Sequence, residues 1–178
     1  MNLGIKLIRF CWHSFISTSA TAAGKEIYMK KVLADELYTL MDYATGEDIF
    51  YVDNIKTIPF NGIALDYFKG VLSWEFEVKD GYRTGIERTY YDETGELKEE
   101  NETDHNTVNG LAKEYYKNGN IKCKSIVIHN AFIDSIRYDE EGNIITKKIM
   151  SENENICHID KNEINEYREK YKSEMQVE

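Results

Sequence analysis

Glycines at positions 46, 70, 95, 119 and 142 are separated by 24, 25, 24 and 23 residues. A near-constant interval of this length marks a chain made by repeating one supersecondary unit, which cannot bury its apolar side alone and has to stack on its neighbours. The residues around these glycines repeat as well. Gly85, Ile86, Glu87, Arg88, Thr89, Tyr90 and Tyr91 lead into Gly95 and Leu97, and Gly110, Leu111, Ala112, Lys113, Glu114, Tyr115 and Tyr116 lead into Gly119 and Ile121. Gly62 to Phe68 precede Gly70 in the same order, and a weaker copy runs from Tyr138 through Gly142 to Ile144.

Each copy reads as two strands joined by a tight turn. Alternation sends Ile63 and Tyr67, Ile86 and Tyr90, Leu111 and Tyr115 to one face. The other face receives Asp66 and Phe68, Glu87 and Tyr91, Glu114 and Tyr116, at once acidic and aromatic. In the second strand of the first full copy, Leu72, Trp74, Phe76 and Val78 alternate with Ser73, Glu75 and Glu77, which predicts one buried and one wetted side. The equivalent stretch from Leu97 to Asp104 is almost wholly polar, so a solvated position or a selection other than core packing is expected there.

The links between copies keep the same register. Gly81, Asn106 and Asn130 correspond, as do Gly85, Gly110 and Asp134, and Asn and Asp are the side chains that best tolerate a left-handed backbone. Upstream, a degenerate first hairpin is expected around Gly46, ending in Ile49, Phe50, Tyr51 and Val52, with a short amphipathic helix over residues 31–43 as the competing reading. Downstream, Asp160 and Glu163 form a capping-box pattern. Ile164, Tyr167, Tyr171 and Met175 then make a helical stripe, predicting a helix that docks on the sheet or covers its last edge. The expectation is therefore a mainly β fold. Residues 31–150 form an elongated antiparallel sheet of repeated hairpins, residues 1–30 an extension, and residues 151–178 an acidic linker with a C-terminal helix.

Lys6 and Arg9, a short apolar run and the small residues up to Ala23 resemble a secretory signal, but His13 and Ser14 interrupt the run, and Met29 is an alternative start. A cytoplasmic location is expected, with export as the alternative if the first 22 residues are a cleaved signal. The three cysteines, Cys11, Cys123 and Cys157, cannot all pair within one chain and match no metal or redox spacing. Of the formal charge of −10, residues 1–31 contribute +4 and residues 151–178 contribute −4, which leaves −10 on the repeat body. That sign disfavours nucleic acid and anionic lipid and favours encounter with basic proteins.

The copies from Gly85 to Tyr91 with Gly95 and Leu97, and from Gly110 to Tyr116 with Asn118, Gly119 and Ile121, resemble the MORN-type repeat, as do Pro59, Phe60, Asn61 and Gly62 at the opening of the first copy. They are closest to the variant found in YwqK-type antitoxins. The resemblance covers roughly residues 43–145. It implies successive β-hairpins in a bacterial protein, in some members the neutralising partner of a toxic protein.

Motifs of enzymes are absent: no phosphate-cradling glycine loop, no nucleophile elbow and no metalloprotease helix occur. His105 and His129 occupy corresponding links and read as turn residues. Cys157 and His158 are adjacent and diverge, and Glu99 and Glu100 point to opposite faces of a strand. No cofactor, metal site or catalytic residue is expected. The expected function is a non-enzymatic binding module, an antitoxin or immunity-type protein holding a basic toxin on Asp66, Phe68, Glu87, Tyr91, Glu99, Glu100, Glu102, Glu114 and Tyr116. The alternatives are cross-strand packing of the same rings and an exported structural module without a toxin partner.

Overall fold

The structure is a computed structural model and describes residues 19–22, 25–43, 46–151 and 159–176. Cys11, the Cys157-His158 pair and nearly all of the signal-like segment fall outside them. Thirteen strands are described: β1 (Ser19–Ala22), β2 (Lys25–Tyr28), β3 (Lys31–Leu33), β4 (Tyr38–Met41), β5 (Asp48–Tyr51), β6 (Gly62–Phe68), β7 (Val71–Lys79), β8 (Tyr82–Tyr90), β9 (Leu97–Asp104), β10 (Thr107–Tyr115), β11 (Ile121–Ile128), β12 (Ala131–Tyr138) and β13 (Ile144–Ile149). One helix, α1 (Lys161–Lys170), follows them. Strands β6 to β13 form a continuous antiparallel meander, β3 lies parallel beside β6, and β1–β2 and β4–β5 are separate two-stranded ribbons. The expected sheet of consecutive hairpins with a C-terminal helix is what forms.

The interval between the glycines has a geometric origin. Lys69-Gly70, Asp80-Gly81, His105-Asn106 and His129-Asn130 are two-residue connections in which both residues have positive φ, the hairpin turn whose twist matches that of the flanking strands. From Asp80-Gly81 onward these turns alternate with longer loops around Gly95, Gly119 and Gly142. Each hairpin also carries one extra residue just after its loop. Ser73, Lys98, Lys122 and Ile145 are bulged out between paired neighbours, which coils the sheet at the same place in every copy. A second irregularity sits at Gly85 and Gly110, where β8 and β10 each spend four residues against two on the preceding strand. There the backbone has φ of 122° and 147°, and a Cβ would collide with Glu77 and Glu102 respectively, so glycine is required by both conformation and space.

Asp134 departs from this pattern. It stands where Gly85 and Gly110 stand, yet its φ is not positive, so the expectation that it preserves a left-handed backbone is corrected. The register of β12 advances by one extra residue instead of two, which removes the special conformation. That missing residue is also why the last interval is one shorter than the one before it. Ile126, the counterpart of Glu77 and Glu102, faces Asp134, so the carboxylate has moved from one member of the pair to the other.

The Gly46 hairpin forms as β4–β5, with the same loop bonding as the Gly95 loop: Gly46 N–H donates to Asp42 O and Gly95 N–H to Tyr91 O, both at 2.7 Å. It is not part of the main sheet. Ten residues separate β5 from β6, where later copies use two, so the ribbon swings away and β3 takes its place against β6. The alternative helix over residues 31–43 is replaced by β3, one 3-10 turn at Ala34–Glu36 and β4.

Paired residues across strands share a face, so register defines the two sides. On the front lie Ala64, Phe76, Glu87, Asn101, Ala112, Ser125 and Ser135; on the back lie Leu65, Glu75, Arg88, Glu100, Lys113, Lys124 and Ile136. The N-terminal core is on the front, where Phe50 and Phe60 cover Ala64, Phe76 and Val78. The C-terminal core belongs to the back, where Ile164 and Tyr171 cover Leu111, Ile126, Ile128, Ile133 and Met150. Asp160 caps α1 by accepting from Asn162 N–H, but Glu163 pairs with His129 Nε2 at 3.2 Å instead of reaching back. The helix docks on the back face and leaves the edge strand β13 exposed along its whole length.

Candidate functional site

The meander has two unlike ends. At the end carrying the turns Asp80-Gly81, His105-Asn106 and His129-Asn130, Asn106 and Asn130 each bond to the previous copy: Asn106 Oδ1 accepts from Arg83 N–H at 2.8 Å and Asn130 Oδ1 from Val108 N–H at 2.7 Å. Phe50 N–H donates to Gly81 O at 2.8 Å, Arg83 reaches Glu47 at 2.6 Å, and His129 meets Glu163 of α1. Both covering segments are stitched to this end, while its asparagines tie neighbouring copies together.

The opposite end carries the connections at residues 69–70, 91–96, 116–120 and 139–143, which together hold six carboxylates and two lysines. Their rings act as staples. Tyr91 OH donates to Tyr115 O and Tyr116 OH to Tyr138 O, each at 2.9 Å, so each loop is tied to the next copy. Asn118 and Asn120 extend the tie by donating to Glu140 O at 3.3 and 2.7 Å. Beside these loops Tyr67 and Phe68 are each 48% exposed. A side-chain hydrogen bond from Thr94 holds Glu96 below the usual glutamate range, and one from Asn143 does the same for Asp139, so both stay ionised in mildly acidic solution. The result is a pre-ordered, negatively charged rim with apolar surface at one side.

The nine residues singled out from the sequence divide by position. Phe68, Tyr91 and Tyr116 lie at the rim, and Asp66 is exposed two residues from it. Glu99 and Glu114 share the front face and stand directly opposite each other on β9 and β10. Glu87 is on the same face but buried against Arg83 at 2.9 Å, where burial raises its carboxyl above the usual value and the guanidinium opposes the shift. Glu100 and Glu102 are on the back. Glu100 joins a ladder in which Arg88 bonds it at 2.8 Å and Glu75 at 3.3 Å, with Lys31 on Glu75 at 3.1 Å, while Glu102 accepts from Tyr171 OH and meets Lys170 at 3.3 Å. This accounts for the polar strand β9: its back-facing Glu100 and Glu102 serve an ion ladder and a helix anchor, and it is central in the sheet. The rim carboxylates Asp92, Glu93, Glu96, Asp139, Glu140 and Glu141 are not among those nine, although their position beside Gly95 and Gly142 marks them as loop residues.

Among the described residues no group of His, Cys, Asp and Glu is arranged to hold a metal ion. His105 and His129 are the turn residues their spacing predicts, with φ of 44° and 48°. Cys123 is buried on the front face with its thiol 3.5 Å from Ser125 Oγ.

Residues 108–127, from β10 to the end of β11, match the family model described as a MORN repeat variant, a binding type of repeat. Neither a curated protein nor a solved structure matches the chain. No helix among the described residues is long and apolar enough to cross a membrane.

Proposed function

We propose that this chain is a non-enzymatic protein-binding repeat module that neutralises a basic toxin, as an antitoxin or immunity-type protein. The observation that carries the reading is the asymmetry of the two ends. One end is tied to both covering segments, whereas the other keeps an excess of carboxylates exposed on loops immobilised by Tyr91 and Tyr116. Loops ordered before contact lose little entropy on binding, and a concentrated negative rim speeds and orients encounter with a positive partner. Tyr67 and Phe68 supply the adjacent apolar anchor that charge alone lacks.

Co-expression with the products of adjacent reading frames tests this. A basic partner should co-elute at low salt, dissociate at about 0.5 M salt, and be lost from a variant carrying Glu93, Glu96, Glu140 and Glu141 each changed to Lys, while the variant melts like the parent. A complex indifferent to those four reversals overturns the reading.

A further inference from the structure

Among the described residues, the front face is covered only at its N-terminal half. Phe50 and Phe60, on a chain segment that leaves and rejoins the sheet, lie over Ala64, Phe76 and Val78, and Phe50 stacks on Phe76 with ring centroids 5.1 Å apart. The same line of cross-strand pairs then continues through Glu87, Asn101, Ala112, Ser125 and Ser135. Past Glu87 the residues become small, and the face sinks into an uncovered trough of about 320 Å³ across β9 to β12. Its two walls differ in chemistry. One is apolar, made by Val108, Val127 and Phe132, whose ring is 69% exposed. The other is formed by Glu99 and Glu114.

Those two carboxylates are direct cross-strand partners, an arrangement that repels. Lys98 at 3.5 Å from Glu99 and Lys122 at 3.2 Å from Glu114 offset the repulsion from bulge positions, and both lysines remain 40% exposed or more. Exposed pairs of this kind contribute little and are readily exchanged for a better partner. A planar guanidinium that bridges two carboxylates is such a partner.

We infer that the trough between β9 and β12 takes an extended segment of a partner protein, presenting an aromatic side chain to the Val127 and Phe132 wall and an arginine or lysine to Glu99 and Glu114. The occupant continues along the face the chosen course of the chain's own Phe50 to Phe60 segment. The small floor residues leave room for a backbone, and an aromatic ring is the element the covered half already accepts. The inference rests on the binding reading above for the occupant being a protein, but it uses a different surface from the loop rim.

The probe is an acetylated, amidated pentapeptide, Arg-Ser-Phe-Ser-Arg, titrated into the full chain and followed by amide chemical shifts. Shifts should map to β9, β10, β11 and β12, saturate below about 1 mM, and weaken about tenfold when the peptide Phe is replaced by Ala or both Arg by Glu. Ser125→Leu fills the floor and should abolish the shifts. Should that variant fold poorly, the surface pair Glu99→Gln with Glu114→Gln should erase the preference for the Arg over the Glu peptide. Absence of shifts at millimolar peptide, shifts confined to residues 91–96 and 139–143, or a folded Ser125→Leu variant that binds like the parent overturns the inference. The rim reversals should leave this titration unchanged, so failure of the trough and failure of the toxin reading are read separately.

Discussion

The two halves of the sheet share a backbone plan and bury opposite faces. In the N-terminal half the second strand of the hairpin puts Trp74, Phe76 and Val78 on the front, and the Phe50 to Phe60 segment covers them. In the C-terminal half Leu111 and Ile126 are on the back, and α1 covers them. A strand offers both faces at every alternate residue, so a repeat with fixed hydrogen bonding can change its buried side by exchanging residue types alone. Between the halves, β9 serves both roles with charge. The lesson is that repetition specifies the ribbon, and the covering segments decide where the core lies.

If each half has its own core, large truncations in the two should destabilise independently. Phe76→Ala removes a ring with no solvent exposure that touches Phe50 and Trp74, and should cost about 3–5 kcal/mol in urea unfolding. Ile126→Ala, 1% exposed beneath α1, should cost about 2–4 kcal/mol. Hydrogen exchange should report the first loss around β6 and β7 and the second around β10 to β12, and the double variant should be additive within about 0.5 kcal/mol. Strong coupling between them would mean that one core spans the sheet and the comparison fails.

The covering segments are fastened in mirrored ways, which gives a smaller and sharper test. On the front, Arg83 of the sheet reaches out to Glu47 of the cover while holding the buried Glu87. On the back, Arg168 of α1 reaches in to Asp134, 5% exposed in its side chain, at 2.8 and 2.9 Å, and also donates to Met150 O at 2.8 Å. Arg168→Met keeps the stem and leaves Asp134 with Met150 N–H as its remaining donor, at 3.0 Å. Stripping the partner from a buried carboxylate should cost about 3 kcal/mol, visible as faster exchange in α1 with β6 and β7 unchanged. Unaltered exchange in α1 would show that apolar contact alone holds the helix.

How much of this was legible depends on what each residue does for the backbone. The interval of the glycines, the left-handed Asn106 and Asn130, the turn histidines and the apolar stripe of α1 were all readable, because local conformation or periodicity requires those residue types. The swing of β4–β5 out of the sheet was not readable from propensity, since its loop bonds like the others. The signal was the ten-residue gap before β6. Asp134 misled because aspartate satisfies two needs, a left-handed backbone or a buried ion pair, and the sequence does not say which. The candidate binding residues were split between faces for a similar reason. Alternation along β9 alone puts Glu100 and Glu102 on the side opposite Glu99, so a surface that takes all three was never one face, and no residue type says which side a cover will occupy.

Glu77 and Glu102 give the finest comparison, because they occupy the same place over Gly85 and Gly110 and differ only in what covers them. Glu102 lies under α1 and accepts from Tyr171 OH and Lys170. Glu77 has no described helix above it; burial raises its carboxyl above the ordinary glutamate value of 4.5, opposed by Ile86 N–H and the more distant Arg88. A carboxyl with a raised value in the fold binds protons more readily than in the unfolded chain. Its contribution to stability is therefore fullest below pH 4.5 and is lost as pH rises through the raised value. Glu77→Gln removes that loss while an amide oxygen still accepts from Ile86, so the variant should equal the parent near pH 4 and exceed it at pH 7. The gain should be under ~1 kcal/mol, since the side chain is only partly buried and solvent screens part of the effect. Glu102→Gln should act in the other direction, losing up to about 1 kcal/mol at pH 7, because the amide oxygen still accepts from Tyr171 OH but lacks the charge that strengthens that bond and pairs with Lys170. Urea midpoints at the two pH values decide: a Glu77→Gln variant weaker than the parent at pH 7 would show that both glutamates are anchors and that the helix makes no difference between them.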